Sequence, residues 1–191
     1  MNKICLFVLL TFFMSSSAFA QWELVNGEST INYVSIKKSS IGEVNGFKKI
    51  TGSIGDSGTV SLNIDLGSVE TNIPIRNDRM KSMLFEVAKF SEATISGSVD
   101  VSRLSKLGVG DTYTDSVRLK LSLHGVSHDF ATDMQITRLT DNRLLVNSVK
   151  PVIINAENYN LAEGVEQLRT VANLPSISTA VPVTFNLMFR Q

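Results

Sequence analysis

Cysteine is nearly absent: one residue in 191, at position 5. That excludes an internal disulfide framework and any multi-cysteine zinc or iron–sulfur site. An excess of either charge is missing too, with 18 Lys+Arg against 18 Asp+Glu. Phosphate-backbone binding needs clustered Lys and Arg, so nucleic acid is not an expected partner. Apolar runs of spanning length are also lacking. The run at the N-terminus, Ile4 to Met14, is interrupted by Thr11 and falls short of the ~20 residues that cross a bilayer. What remains is 43% apolar and 19% charged, a globular composition sized for one domain.

The first twenty residues read as a secretory signal peptide. Lys3 gives the positive start, Ile4–Met14 the apolar stretch, and Ala18-Phe19-Ala20 an A-x-A cleavage site, all three parts of the pattern. Cleavage after Ala20 removes Cys5, Lys3 and four of the ten Phe. Cys5 sits too early in the run to carry a lipoprotein anchor. The expected mature domain, residues 21–191, then has no cysteine, no transmembrane segment and a net charge of −1. A domain of that size buries enough surface to stand on packing alone.

Most of the mature chain alternates with period two. Val60, Leu62, Ile64 and Leu66 form one such series, and Val117, Leu119, Leu121 and Leu123 a second. Val181, Val183, Phe185, Leu187 and Phe189 form a third. Each predicts a strand with one buried and one wet face. Weaker alternation marks residues 30–37, 44–54, 92–101, 130–136 and 143–154. Turn residues separate these segments at Asp56-Ser57-Gly58, Leu107–Asp111, His124–Ser127 and Asp141-Asn142. About eight strands at hairpin spacing predict an all-β fold, an antiparallel barrel or sandwich. Two segments break the pattern. Ile75–Phe90 places Met80, Met83, Leu84 and Val87 at i, i+3, i+4, i+7, which predicts an amphipathic helix. Asn160–Leu174 predicts a second helix, opened by an Asn160/Glu163 capping box and stopped by Pro175.

Candidate chemistry is sparse. Gly55-Asp56-Ser57-Gly58 looks like the segment around a protease serine, with His124, His128 and Asp129 as available partners. The same four residues are ordinary turn formers. His124 and His128 stand at H-x3-H, but Gly125 and the preceding strand place them beside a hairpin turn as solvent-side residues. Only Asp129 and Asp133 are near enough in sequence to add ligands, so no metal site is expected. Arg76, Arg79 and Lys81 form a small basic group. It reads as a solvated helix face or as a contact for an anionic head group. Met80, Met83, Leu84, Phe85, Val87 and Phe90 form an apolar stripe. It reads either as core or as the wall of an apolar site, since Met adapts to irregular shapes. Barrels of about eight strands enclose one small ligand.

The order of these segments resembles the YceI-like family of exported lipid-binding proteins. The opening Trp22-Glu23-Leu24 and Ser29–Tyr33 are similar to the family's first strands, and Gly46-Phe47 with Gly52-Ser53-Ile54 to its next hairpin. Ser68-Val69-Glu70-Thr71 followed by Ile75–Met80 and Leu84-Phe85 resembles its strand exit and helix. Leu121–Ser127 resembles its "LTLHGVT" hairpin, and Asn158–Leu161, Leu168 and Ala180–Val183 its ending. Glu28 stands where the family often has His, Phe90–Ile95 lacks the usual Pro, and His128-Asp129 replaces a basic residue. The resemblance implies a lipocalin-like antiparallel β-barrel, residues 21–191, with an elongated apolar interior. It implies a periplasmic protein that binds a long isoprenoid or fatty-acyl chain, often as a homodimer, with no cofactor and no catalytic residue. The wall residues expected on this basis, together with the strand pattern, are Phe47, Met80, Met83, Leu84, Phe85, Phe90, Leu119, Leu121, Phe130, Met134, Phe185 and Leu187. Two other readings compete with such a carrier. One is a small exported hydrolase using Ser57 or a His-based metal site, and the other an envelope stress protein with a filled core.

Overall fold

Alternating apolar residues build twelve strands over residues 21–191, the part of the chain that the computed structural model describes. The predicted signal peptide, residues 1–20, lies outside the described residues. The strands are β1 (Trp22–Leu24), β2 (Thr30–Lys37), β3 (Ile41–Phe47), β4 (Ile50–Ile54), β5 (Thr59–Asp65) and β6 (Val69–Glu70). They continue as β7 (Glu92–Ser98), β8 (Thr112–Leu123), β9 (Val126–Leu139), β10 (Arg143–Ser148), β11 (Val152–Asn155) and β12 (Ala180–Arg190). All pairings are antiparallel, and the sheet closes: β1-β4-β5-β7-β8-β9-β10-β12 returns to β1 through Leu24 opposite Phe189. The expected barrel of eight strands is therefore the observed one. Beyond the closure, β2 continues β1 along β12, β3 continues β4, and β11 continues β10.

Each of these continuations is a strand with a break, and side chains take up the broken ladder. Where β12 passes from β1 to β2, buried Ser29 accepts from the Met188 N–H at 3.0 Å and donates to the Val25 carbonyl at 2.8 Å. Where β3 passes to β4, the Asn26 side chain accepts from the Ile50 N–H at 2.7 Å and donates to the Lys48 carbonyl at 3.1 Å. At the break before Pro151, Ser148 Oγ accepts from the Phe185 N–H at 3.1 Å. Such repairs are needed because an unpaired buried peptide group costs about as much as a lost hydrogen bond. The sequence pattern showed 44–54 and 143–154 as single strands because alternation alone does not register these breaks.

Helices cover both ends of the barrel. At one end α1 (Pro74–Arg79) runs straight into a π turn, Met80–Leu84. Pro74 occupies the first turn of α1, where its missing N–H costs nothing. The Phe85 N–H reaches back five residues to the Met80 carbonyl at 2.9 Å. Glu86, at φ +46°, then ends the helix. The helix expected to reach Phe90 therefore stops at Leu84. A 3.6-residue pattern does not report a π turn, which is set here by docking against α3 (Ala162–Val171). That docking depends on Gly164, where an added Cβ would lie 2.8 Å from the Leu84 Cα. The capping box expected at Asn160 and Glu163 is not formed. Asn160 instead adopts φ +55° and closes the short 3-10 turn Ala156–Tyr159, and Leu161 precedes α3. At the other end α2 (Val101–Lys106) is capped by Asp100, whose carboxylate accepts from the Ser102 N–H at 2.9 Å. Its Leu104 is buried in the barrel mouth. No helix among the described residues is long and apolar enough to cross a membrane.

Candidate ligand-binding site

Because the sheet closes, the inward face of every strand points into one space. That space is not filled. It contains a cavity of about 230 Å³ lined by aliphatic, methionine and phenylalanine side chains and by two tyrosines, Tyr33 and Tyr113. β8 contributes Leu119 and Leu121, β9 Phe130 and Met134, and β12 Phe185 and Leu187. Phe47 enters from β3, and Met80, Leu84 and Phe85 descend from the helical end. The structure thus brings ten of the twelve expected wall residues together around the void.

Met83 and Phe90 do not line it. The π turn rotates Met83 away from the face shared by Met80 and Leu84, and its carbonyl faces Gly164 of α3. Phe90 lies beyond the helix, in the loop before β7, and its ring rests 4.3 Å from that of His124. Sequence reasoning missed Tyr33, Tyr113, Ile136, Leu144, Val146 and others of the wall. Their alternation within β2, β8, β9 and β10 carried the signal for all of them.

His124 corrects a second expectation. It stands in the β8–β9 turn, but its side chain is only 9% exposed rather than solvent-side. The turn folds back on the Glu86–Phe90 segment, so Nε2 donates to Glu86 at 2.9 Å and the imidazole packs on Phe90. His128 is exposed, donates to the Asn158 carbonyl at 2.9 Å and meets the Tyr159 ring edge-on. Ser57 lies in the β4–β5 turn at the α2 end, bonded to Thr59 at 2.9 Å, with the length of the barrel between it and His124. These residues do not assemble into a nucleophile and base. Among the described residues no three His, Cys, Asp or Glu cluster as metal ligands.

Charge gathers outside the void, at the rim of the helical end. Arg76 of α1 donates to Glu43 at 2.6 Å, to the Thr71 carbonyl at 2.6 Å and to Asn45 at 3.4 Å. Glu43 also binds Lys37 at 2.8 Å. Glu70 pairs with Lys48, accepts from Asn77 at 3.0 Å and from the Asn72 N–H at 2.7 Å. Of the basic group read from the sequence, Arg76 therefore straps α1 to β3, and Lys81 pairs with Asp78 at 3.3 Å. The bond from Lys37, with help from Arg76, holds Glu43 below the usual carboxylate value, and Lys48, Asn77 and the Asn72 N–H bring Glu70 to about 2. A depressed carboxylate contributes stability above its unfolded value of about 4.3 and loses it as pH falls through the folded value. The melting temperature is therefore expected to hold from neutral pH to about 5 and to fall between about 4.5 and 2. Thermal unfolding across that range should show a shallower fall in Glu70→Gln.

A closed antiparallel barrel around an apolar void defines a class of proteins that enclose hydrophobic molecules. The family assignment is more specific: the YceI-like domain matches residues 22–189, and the chain belongs to the YceI-like family. A polyisoprenoid binding domain from Saccharophagus degradans, implicated in plant cell wall breakdown, is 39% identical, with a TM-score of 0.87. The match covers 90% of this chain and 98% of that one. Burkholderia cenocepacia BcnA shares the fold at 16% identity and TM-score 0.67, over 86% of this chain and 98% of its own. The Campylobacter jejuni YceI protein does so at 13% and 0.55, over 75% and 82%. No curated protein sequence matches the chain.

Proposed function

We propose that this is an exported, periplasmic binding protein that holds one long apolar chain, of polyisoprenoid, isoprenoid quinone or fatty-acyl type, inside the barrel. The observation that carries this reading is the apolar void itself. An engineered apolar cavity of about 150 Å³ stays dry and accepts benzene. A void of about 230 Å³ left empty forfeits about 5 kcal/mol on the scale of ~24 cal/mol per Å³. Native domains are stable by only about 5–15 kcal/mol. A void of that cost in a protein with no other use for it favours an occupant over the filled core of a purely structural protein. Each buried CH2 returns about 0.8 kcal/mol, so affinity grows with chain length and requires few polar contacts.

The polyisoprenoid-binding relative supports the ligand class. The three-part pattern of residues 1–20 supports export with cleavage after Ala20. The separation of Ser57 from His124 supports binding without catalysis. Titration with an apolar fluorescent dye tests the reading. Binding should saturate at one dye per chain and be reversed by long-chain isoprenoid alcohols or fatty acids. Binding that never saturates, or that these chains do not reverse, would defeat it.

A further inference from the structure

The void is lined by apolar atoms, and two residues with a polar group, Tyr33 and Tyr113, stand in its wall at opposite ends. Tyr113, near the start of β8, is half-buried beneath α2. The Arg103 guanidinium lies 4.2 Å from its ring centroid and is paired to Asp115 at 3.1 Å. Tyr33 lies at the helical end, 8% exposed, with its ring 5.6 Å from Phe47. Its hydroxyl has no oxygen or nitrogen partner. It donates to the Met80 sulfur at 3.5 Å, and a thioether is a weak acceptor. Buried hydroxyls normally find a full hydrogen bond, and an unmet one is costly. The phenol also stays protonated, because burial outweighs the opposing pull of Arg76 and raises its proton affinity well above the ordinary range. Tyr33 is thus a permanent donor in the wall of an apolar chamber, received only by the thioether of Met80, which lines the same chamber.

We infer that Tyr33 is the specificity-determining residue for the polar end of the bound chain, and that it receives a neutral oxygen acceptor, a hydroxyl or carbonyl. The inference rests on the lipid-binding reading above and names which end group that site accepts. Neutrality follows from the surroundings. The two terminal nitrogens of the nearby Arg76 guanidinium are bonded to Glu43, Asn45 and the Thr71 carbonyl, only its Nε is buried without a partner, and its charge is offset by Glu43, which Lys37 also binds. An anion at Tyr33 would be stripped of water with one phenol in exchange, and burying an unpaired charge costs far more than burying a bonded hydroxyl. The chain would then run from Tyr33, beneath Met80 and Phe47, toward Leu104 and Tyr113 at the α2 end.

Three probes with one branched diterpenoid chain test this: phytanol, phytane and phytanyl phosphate, each measured by dye displacement. Wild-type protein should bind phytanol about three- to tenfold more tightly than phytane, the worth of one neutral hydrogen bond. Phytanyl phosphate should bind more weakly than phytanol. In Tyr33→Phe the preference for phytanol should vanish while phytane affinity stays unchanged, which also shows that the variant is folded. A preference that survives in Tyr33→Phe, an equal loss of both ligands there, or tighter binding of the phosphate would each overturn the inference while leaving the lipid-binding reading standing. If no probe displaces dye from wild-type protein, the lipid-binding reading fails and this inference falls with it.

Discussion

Val183→Phe is expected to weaken ligand binding by at least about tenfold, or 1.4 kcal/mol, while leaving the barrel as stable as before. Val183 sits on β12, opposite Tyr33 of β2 and Val152 of β11, and its side chain faces the void. In a packed core, added bulk forces side chains off their rotamers and costs about 1–3 kcal/mol. Here the added ring enters empty space, gains contacts and displaces the ligand. Phe suits the test better than Trp because it brings no buried N–H in need of a partner. Dye titration and thermal unfolding of the same variant read the two effects separately. A clear loss of stability with binding intact would mean that the void is not where the ligand sits.

The converse is expected for Ile50→Ala. Ile50 is 1% exposed but does not line the void. It begins β4 opposite Ile64 of β5, just after the break that Asn26 repairs. Truncation should cost about 2–5 kcal/mol. For a domain of this size that corresponds to a fall in Tm of roughly 2–4 °C per kcal/mol. Ligand affinity at a temperature where the variant is folded should be unchanged. Together the two substitutions separate residues that hold the barrel from residues that hold its contents. A large loss of affinity in Ile50→Ala would mean that the two sets are not distinct.

The barrel was legible wherever one strand face is wet. In β5, β8 and β12 the residues alternate so regularly that the inward set follows directly, and Leu119, Leu121, Phe185 and Leu187 line the void. Tyr33 and Tyr113 were overlooked because a tyrosine suits either face of a strand, although each shares its parity with inward neighbours, Ile31 in β2 and Leu119 and Leu121 in β8. The helical end was read less well. Its π turn depends on contact with α3 across Gly164, a tertiary fact with no local signature. Extrapolating a 3.6-residue period through it placed Met83 and Phe90 in the wall, where they are not. Helix α2 was not read from the sequence, and only its first residue, Val101, was included in the 92–101 strand, although Asp100, its N-cap, was a readable sign of a helix start. His124 was taken as a solvent residue because nothing near it in sequence announces Glu86 and Phe90 as its neighbours.

The claim on which the rest depends is that the barrel interior is occupied by one apolar molecule. Native mass spectrometry of the protein isolated from the envelope of its own cells tests it directly. The expected spectrum shows the chain carrying a single additional mass, which organic extraction removes and which partitions as a lipid. A spectrum showing only the bare chain, with dye binding absent as well, would contradict the claim.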